Sequence, residues 1–271
     1  MTNRLFDFIE IDINDIGRYP SIVQDIYARK INGVIIHHAF SIETVEAMLE
    51  RLQKNDPPLC QTTYPWGHVY GRVLVSPNTD LPQYFEDARN FRSSCKSLFA
   101  EGQDFETRIE EILNRVAGGL SATVPQYADH STYTPATIRV LEPGQGLQLH
   151  CGNQFLHRLP KLHHLSTISD LKNQLSYFVT LNTAEAGGNL LVYDIEWTET
   201  QNGILDGGQS IDDVIDTYDS LPLNLNVGDL LLFDGGRIWH QVTPVIGQQN
   251  RITIGGFVSY SQDHRQIYYW S

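Results

Sequence analysis

Leu147-Gln148-Leu149-His150-Cys151-Gly152-Asn153 reads as a β-strand that runs into a glycine. Successive side chains of a strand point to opposite faces, so His150 and position 152 look at the same point in space. A facial non-heme iron site uses a His, a carboxylate two residues on, and a second His from a distant strand, and it leaves open positions for cosubstrate and oxygen. Here the carboxylate position is Gly152. The matching second His is His240 in Ile238-Trp239-His240-Gln241-Val242, and Arg251, suited to forked capture of a carboxylate, follows eleven residues later. The pattern describes an iron site with one protein ligand deleted, and what fills that place decides the chemistry.

Outward from this stretch the hydrophobic period is two. Thr137 to Leu141 and Leu147 to His150 flank the turn Glu142-Pro143-Gly144-Gln145-Gly146. Gln174 to Asn182 and Asn189 to Trp197 flank a second turn, Ala184-Glu185-Ala186-Gly187-Gly188. Asp229 to Phe233, Trp239 to Val242, Arg251 to Tyr260 and Gln266 to Trp270 complete the series. Many short antiparallel strands with Gly-rich turns predict a mainly β protein built on a double-stranded β-helix, a jelly roll of the cupin kind. The Gly-rich, acidic stretch Thr198 to Leu221 interrupts the strands and is expected to be an insertion over the barrel mouth.

The first 120 residues are mixed and mostly helical. Phe6 to Ile13 predicts a first strand, Ser21 to Lys30 a short helix, and Gly33 to His38 another strand. Ser41 can cap a helix whose Val45, Met48, Leu49 and Leu52 form one apolar face, ended by Asp56-Pro57-Pro58. A strand is expected around Val69 to Val75, and helices from Pro82 to Phe99 and from Phe105 to Ala117, the last stopped by Gly118-Gly119. The expectation is one domain over 1–271. In it, packed N-terminal helices in 1–130 support a jelly-roll core in 131–271.

With 32 acidic against 19 basic residues, the net charge of −13 argues against nucleic acid and anionic membrane surfaces as partners. Hydrophobic residues at 41% and aromatics at 10% are normal for a globular protein, and a small-molecule substrate is the default. No apolar run reaches membrane-spanning length. The N-terminus carries Asp7, Glu10, Asp12 and Asp15 where a signal peptide would be apolar, and Cys60, Cys95 and Cys151 lack metal-knuckle or disulfide spacing, so a cytoplasmic location is expected.

A double-stranded β-helix that uses iron and 2-oxoglutarate places one His early and the second His and a cosubstrate Arg late, as His150, His240 and Arg251 are placed. Arg251-Ile252-Thr253 alternates, so Arg251 and Thr253 can meet the same carboxylate. The ordinary alternatives are a hydrogen-bonded barrel histidine for His150 and a surface arginine for Arg251. His37, His38, His130, His157, His163, His164 and His264 have no partner at ligand spacing. His68 could line a pocket or be an unremarkable strand residue, and Cys151 points away from His150 into core.

Thr132 to Arg139, His150-Cys151-Gly152-Asn153, Gln174-Leu175-Ser176-Tyr177-Phe178, Glu185-Ala186-Gly187-Gly188, Gly235-Gly236-Arg237, Arg251 to Phe257 and the ending Ile267-Tyr268-Tyr269-Trp270-Ser271 together carry a resemblance. Over nearly its whole length the chain resembles the freestanding iron/2-oxoglutarate aliphatic halogenases of cyanobacterial indole-alkaloid biosynthesis, the welwitindolinone and ambiguine type. The resemblance implies radical halogenation of an unactivated carbon in a free small molecule, with no carrier protein, using Fe(II), 2-oxoglutarate, dioxygen and chloride or bromide. His150 and His240 match the iron ligands, Gly152 the place vacated for halide, Arg251 the cosubstrate arginine and Ser176 a serine that steers the reaction geometry. Trp66, Val73, Leu147 and Phe155 match the substrate pocket. A hydroxylase on the same scaffold, or a barrel that has lost its metal, are the alternatives, and keeping both His, the Arg and the Ser disfavours the second.

Overall fold

The computed structural model describes residues 5–64, 67–76, 80–99, 104–128, 130–156, 160–199, 203–205 and 208–271. The N-terminal strand β1 (Phe8–Asp12) lies parallel to β2 (Gly33–His37), joined through a 3-10 turn and α1 (Ile22–Tyr27). Next come α2 (Ile42–Gln53), the hairpin β3 (Gln61–Tyr64) and β4 (Gly67–Tyr70), α3 (Leu81–Leu98), α4 (Phe105–Val116) and the short β5 (Ser121–Thr123). Each of the three long helices is opened by a side-chain cap: Ser41 accepts from Thr44 N, Asp80 from Gln83 N and Asp104 from Thr107 N. Such caps contribute about 1 kcal/mol each.

The remaining strands are β6 (Thr137–Leu141), β7 (Leu147–His150), β8 (Leu175–Asn182), β9 (Ala186–Gly187), β10 (Leu190–Glu196), β11 (Ser220–Leu223), β12 (Leu230–Phe233), β13 (Ile238–Val242), β14 (Val245–Ile246), β15 (Arg251–Tyr260) and β16 (Gln266–Trp270). Among the described strands a large sheet runs β1-β2-β12-β8-β15-β6-β4-β3, with β16 and β5 continuing from β15, and a small one runs β11-β10-β13-β7. The N-terminal region thus supplies strands to the large sheet, and the expected jelly roll is present.

Period-two alternation divides the large sheet between two cores. On β2, Val34 and Ile36 join the apolar cluster built with the helices, while Ile35 joins a cluster between the sheets. On β12, Leu230 and Leu232 face the helices and Leu231 and Phe233 face the small sheet. All four β12 residues are buried, and removing a leucine's side chain from water contributes roughly 2 kcal/mol. The same alternation sends Tyr177, Val179 and Leu181 of β8 and Ile254 and Val258 of β15 to the helical side. Their neighbours are therefore turned toward the space between the sheets.

The expected strand at Val69 to Val75 is shorter, ending at Tyr70. In 198–221 the described residues hold a short helix α6 (Ile211–Val214) and the start of β11, which pairs with β10. Ile211 and Ile215 pack with Cys151, Tyr193, Ile195 and Trp239 on the outer side of the small sheet. None of the described residues of this stretch is among those that line the cavity between the sheets. No helix among the described residues is long and apolar enough to cross a membrane.

Candidate functional site

The two candidate iron ligands are a cross-strand pair. His240 on β13 sits directly opposite His150 on β7 in the antiparallel register, so both rings leave the same face of the small sheet, with centroids 4.3 Å apart. Each ring is fixed through its own strand: His150 Nδ1 donates to Gln148 O at 2.7 Å and His240 Nδ1 donates to Ile238 O at 2.8 Å. That bonding sets the tautomer and leaves Nε2 of both rings as free lone pairs. Burial lowers the His150 pKa to about 4. His240 is pushed well below its ordinary value, by burial first and then by its neighbour His150. Both are neutral imidazoles, the form that binds a metal.

Beyond His150 the strand ladder stops, but Cys151 is still extended (φ −140°, ψ 158°) and buried against Trp239. Gly152 consequently returns to the cavity side. Its N–H donates to Gly235 O at 2.8 Å, and Asn153 N donates to Gly236 O at 2.9 Å. The Gly235-Gly236 turn has no room for side chains, because a methyl at 235 would strike Ser176 Oγ and one at 236 would strike Gln174 O. An ion pair between Asp234 and Arg237 closes that turn.

A cavity of ≈ 200 Å³ lies between the sheets. The small sheet presents His150, His240, Leu147 and Leu149, and Gly152 and Phe155 follow from the turn after β7. Opposite stand Arg251 and Thr253 of β15, Arg139 of β6, and Ser176 and Phe178 of β8. Arg251 is 7% exposed, its guanidinium lies 5.3 Å from the Phe178 ring, and no described carboxylate pairs with it. Burial, helped by Arg139, lowers its pKa to about 10. A buried cation without a counter-ion is costly, so this one is built to receive an anion. No Asp or Glu side chain is among the described residues that line the cavity, and no group of three His, Cys, Asp or Glu able to hold a metal occurs among the described residues.

Val73, Leu147 and Phe155 line the cavity as expected, while Trp66 lies outside the described residues. His68 is not among the lining residues and stands 3.7 Å from Glu142. Sequence reasoning assigned no role to Arg139, although its place in Thr137-Ile138-Arg139-Val140-Leu141, opposite Thr253, marks a charge on an inward-facing position. Phe178 and Phe233 were also passed over, because aromatic residues in strands read as ordinary core.

The family model of the carrier-protein-independent halogenase WelO5 matches residues 5–271. The chain belongs to this family. Membership makes it an oxidoreductase of the halogenase type, on the fold of the non-heme iron, 2-oxoglutarate oxygenases. That fold is shared with an N-substituted L-amino acid dioxygenase from Burkholderia ambifaria, at 13% identity over 91% of this chain and 89% of that one, TM-score 0.53. The carbocyclase SnoK from nogalamycin biosynthesis is similar at 13% identity over 90% and 88%, TM-score 0.51. The epimerase SnoN from the same biosynthesis is similar at 9% identity over 91% and 85%, TM-score 0.50. No curated protein matches at a significant level. The cavity of this chain brings together paired neutral histidines, a glycine and a buried arginine.

Proposed function

We propose that the chain chlorinates an unactivated aliphatic carbon of a free, apolar small molecule, an indole-terpenoid alkaloid or a close relative, using Fe(II), 2-oxoglutarate, dioxygen and chloride, with bromide as an alternative halide. The observation that carries this reading is the His150–His240 pair, neutral and opening on a cavity in which no described side chain supplies a third, anionic ligand. In solved forms, the dioxygenase holds α-ketoglutarate and SnoN holds Fe3+ with α-ketoglutarate, which supports the same cofactors here.

The donor set fits. Two imidazole Nε2 atoms would hold the iron, and because neither neutralises its charge, an exchangeable anion is favoured at the place Gly152 leaves open. Arg251, with Thr253 two residues on, would anchor the distal carboxylate of the cosubstrate. Bound iron, cosubstrate and dioxygen supply the oxidising power for hydrogen abstraction from a strong C–H bond, and halide held beside them supplies the delivered atom. The chain's own contribution is placement. Val73, Leu147 and Phe155 form an apolar wall that holds a hydrocarbon without hydrogen-bonding it, and Ser176 sets the geometry that favours halogen over hydroxyl transfer. The free thiols Cys60, Cys95 and Cys151 support a cytoplasmic setting.

Anaerobic titration of the protein with Fe(II), 2-oxoglutarate and chloride is the first test, read by the metal-to-ligand charge-transfer band and its change with chloride. Mass spectrometry of products from indole-terpenoid and other apolar substrates, with and without chloride, then identifies the reaction. The decisive variant is Gly152→Asp. A carboxylate there takes the halide's place, so chlorination falls to background even where iron and cosubstrate still bind. Chlorination that survives the substitution would give the site to a hydroxylase-type arrangement with halide elsewhere.

A further inference from the structure

Gln174 stands immediately before β8 with extended backbone (φ −60°, ψ 136°), its N–H donating to Leu171 O at 3.3 Å. By the alternation of that strand it shares a face with Ser176 and Phe178, both of which line the cavity, while Leu175 and Tyr177 are in the helical core. Gln174 is 6% exposed, and among the described residues its carboxamide has no hydrogen-bond partner. Its amide atoms are not among the fully buried polar atoms left without a partner, so they keep some accessibility and can bond a ligand from outside the protein.

Its position is informative. A methyl at 152 would lie 2.6 Å from Gln174 Nε2 and 3.1 Å from the Gly236 Cα. The amide nitrogen therefore occupies the space in which the side chain of a third protein ligand would begin. A side chain at 152 would have to push this flexible amide aside. A carboxamide at that spot has N–H groups for an anion and no charge to bind it permanently, which suits a ligand that must be exchanged in every turnover.

Resting on the halogenase reading above, we propose that Gln174 is the halide-positioning residue of this site: its carboxamide, placed beside the position that Gly152 leaves open, donates an N–H hydrogen bond to the anion held there.

The test is chloride titration of the anaerobic protein·Fe(II)·2-oxoglutarate complex, followed by the charge-transfer band, for wild type, Gln174→Met and Gln174→Glu. Methionine keeps the length and volume and removes the N–H donor. It should raise the half-saturating chloride concentration by roughly 10- to 100-fold, the range of one hydrogen bond to a charged partner, with the iron and 2-oxoglutarate requirements unchanged. Gln174→Glu should abolish the chloride response. If the wild type responds to chloride and both variants titrate like it, the assignment of Gln174 is overturned while the halogenase reading stands. If the wild type shows no chloride response, the halogenase reading falls and the assignment with it. Should Gln174→Met not form the band at all, Gln174→Asn decides: it keeps the donor on a shorter arm, so an intermediate rise supports the proposal and an unchanged half-saturation overturns it.

Discussion

Two pairs of histidines sit on the sheets, and they have opposite surroundings. His150 and His240 meet across β7 and β13 with backbone carbonyls as their only described hydrogen-bond partners. His37 and His38, adjacent at the end of β2, face carboxylates: His37 Nδ1 is 3.0 Å from Asp229, its Nε2 is 3.0 Å from Glu10, and His38 Nδ1 is 2.7 Å from Asp12. For His37, burial works against the charge, but the hydrogen bonds to Asp229 and Glu10 outweigh it and the pKa is raised. One pair is kept neutral with a nitrogen to spare, and the other uses its nitrogens on acids. Proximity of two imidazoles is not enough to bind a metal; unspent lone pairs are also needed, and of the two pairs the first keeps one on each ring.

The largest effect that could break this contrast comes from His150→Ala or His240→Ala. Either should reduce iron binding and turnover to background, since two imidazoles are the protein ligands that the described residues offer in the cavity, whereas His37→Ala should leave the iron content intact. Iron analysis after anaerobic loading checks both, and turnover kept without His150 or His240 would end the assignment. Next in size, Arg251→Ala should raise the 2-oxoglutarate requirement roughly 100-fold, with iron affinity mostly retained, because the lost contacts are a forked pair of hydrogen bonds to a carboxylate. An unchanged requirement would mean that Arg139 or another group anchors the cosubstrate.

Smaller still is Ser176→Ala, which should leave iron and chloride bound but raise the share of hydroxylated product several-fold, as read by mass spectrometry. The smallest is a stability effect with opposite signs at the two histidine pairs. His37 binds its proton more tightly folded than unfolded. Its contribution is complete below the ordinary value of 6.5 and is lost as pH rises through the raised folded value. His150 is the reverse: the unfolded chain binds the proton better, so metal-free protein loses stability as pH falls from 6.5 to about 4. His37→Gln should flatten the alkaline slope of the melting temperature by ~1–3 °C and leave the acid slope untouched. A flattened acid slope would mean that the two pairs are not independent.

Much of this was legible in the chain because period two carries through it. The alternation around Leu147 to Gly152 placed His150 and Gly152 on the cavity side and Cys151 in the outer core, and the strand order brought His240 opposite. Arg251 and Thr253 were readable for the same reason. The residues 220–223 were not, since Ser220-Leu221-Pro222-Leu223 contains a proline and lies at a sheet edge, where a missing N–H is tolerated. The parallel pairing of β1 with β2 was hidden because pairing partners are not encoded in local periodicity. Gln174 was hidden for another reason: a glutamine before a strand has no distinguishing pattern, and its meaning appears only when the Gly235-Gly236 turn brings Gly152 against it.

The cavity's two arginines, with no Asp or Glu side chain among the described residues that line it, sit inside a chain whose net charge is −13. An anion approaching from solvent first meets a repelling exterior and only then an attracting interior. The exterior field acts over distance and is screened within ~10 Å at 0.1 M salt, while the buried guanidinium acts at contact and is screened much less. Added inert salt should therefore speed the capture of a dicarboxylate rather than slow it, a kinetic signature opposite to that of enzymes that draw anions in with a basic surface.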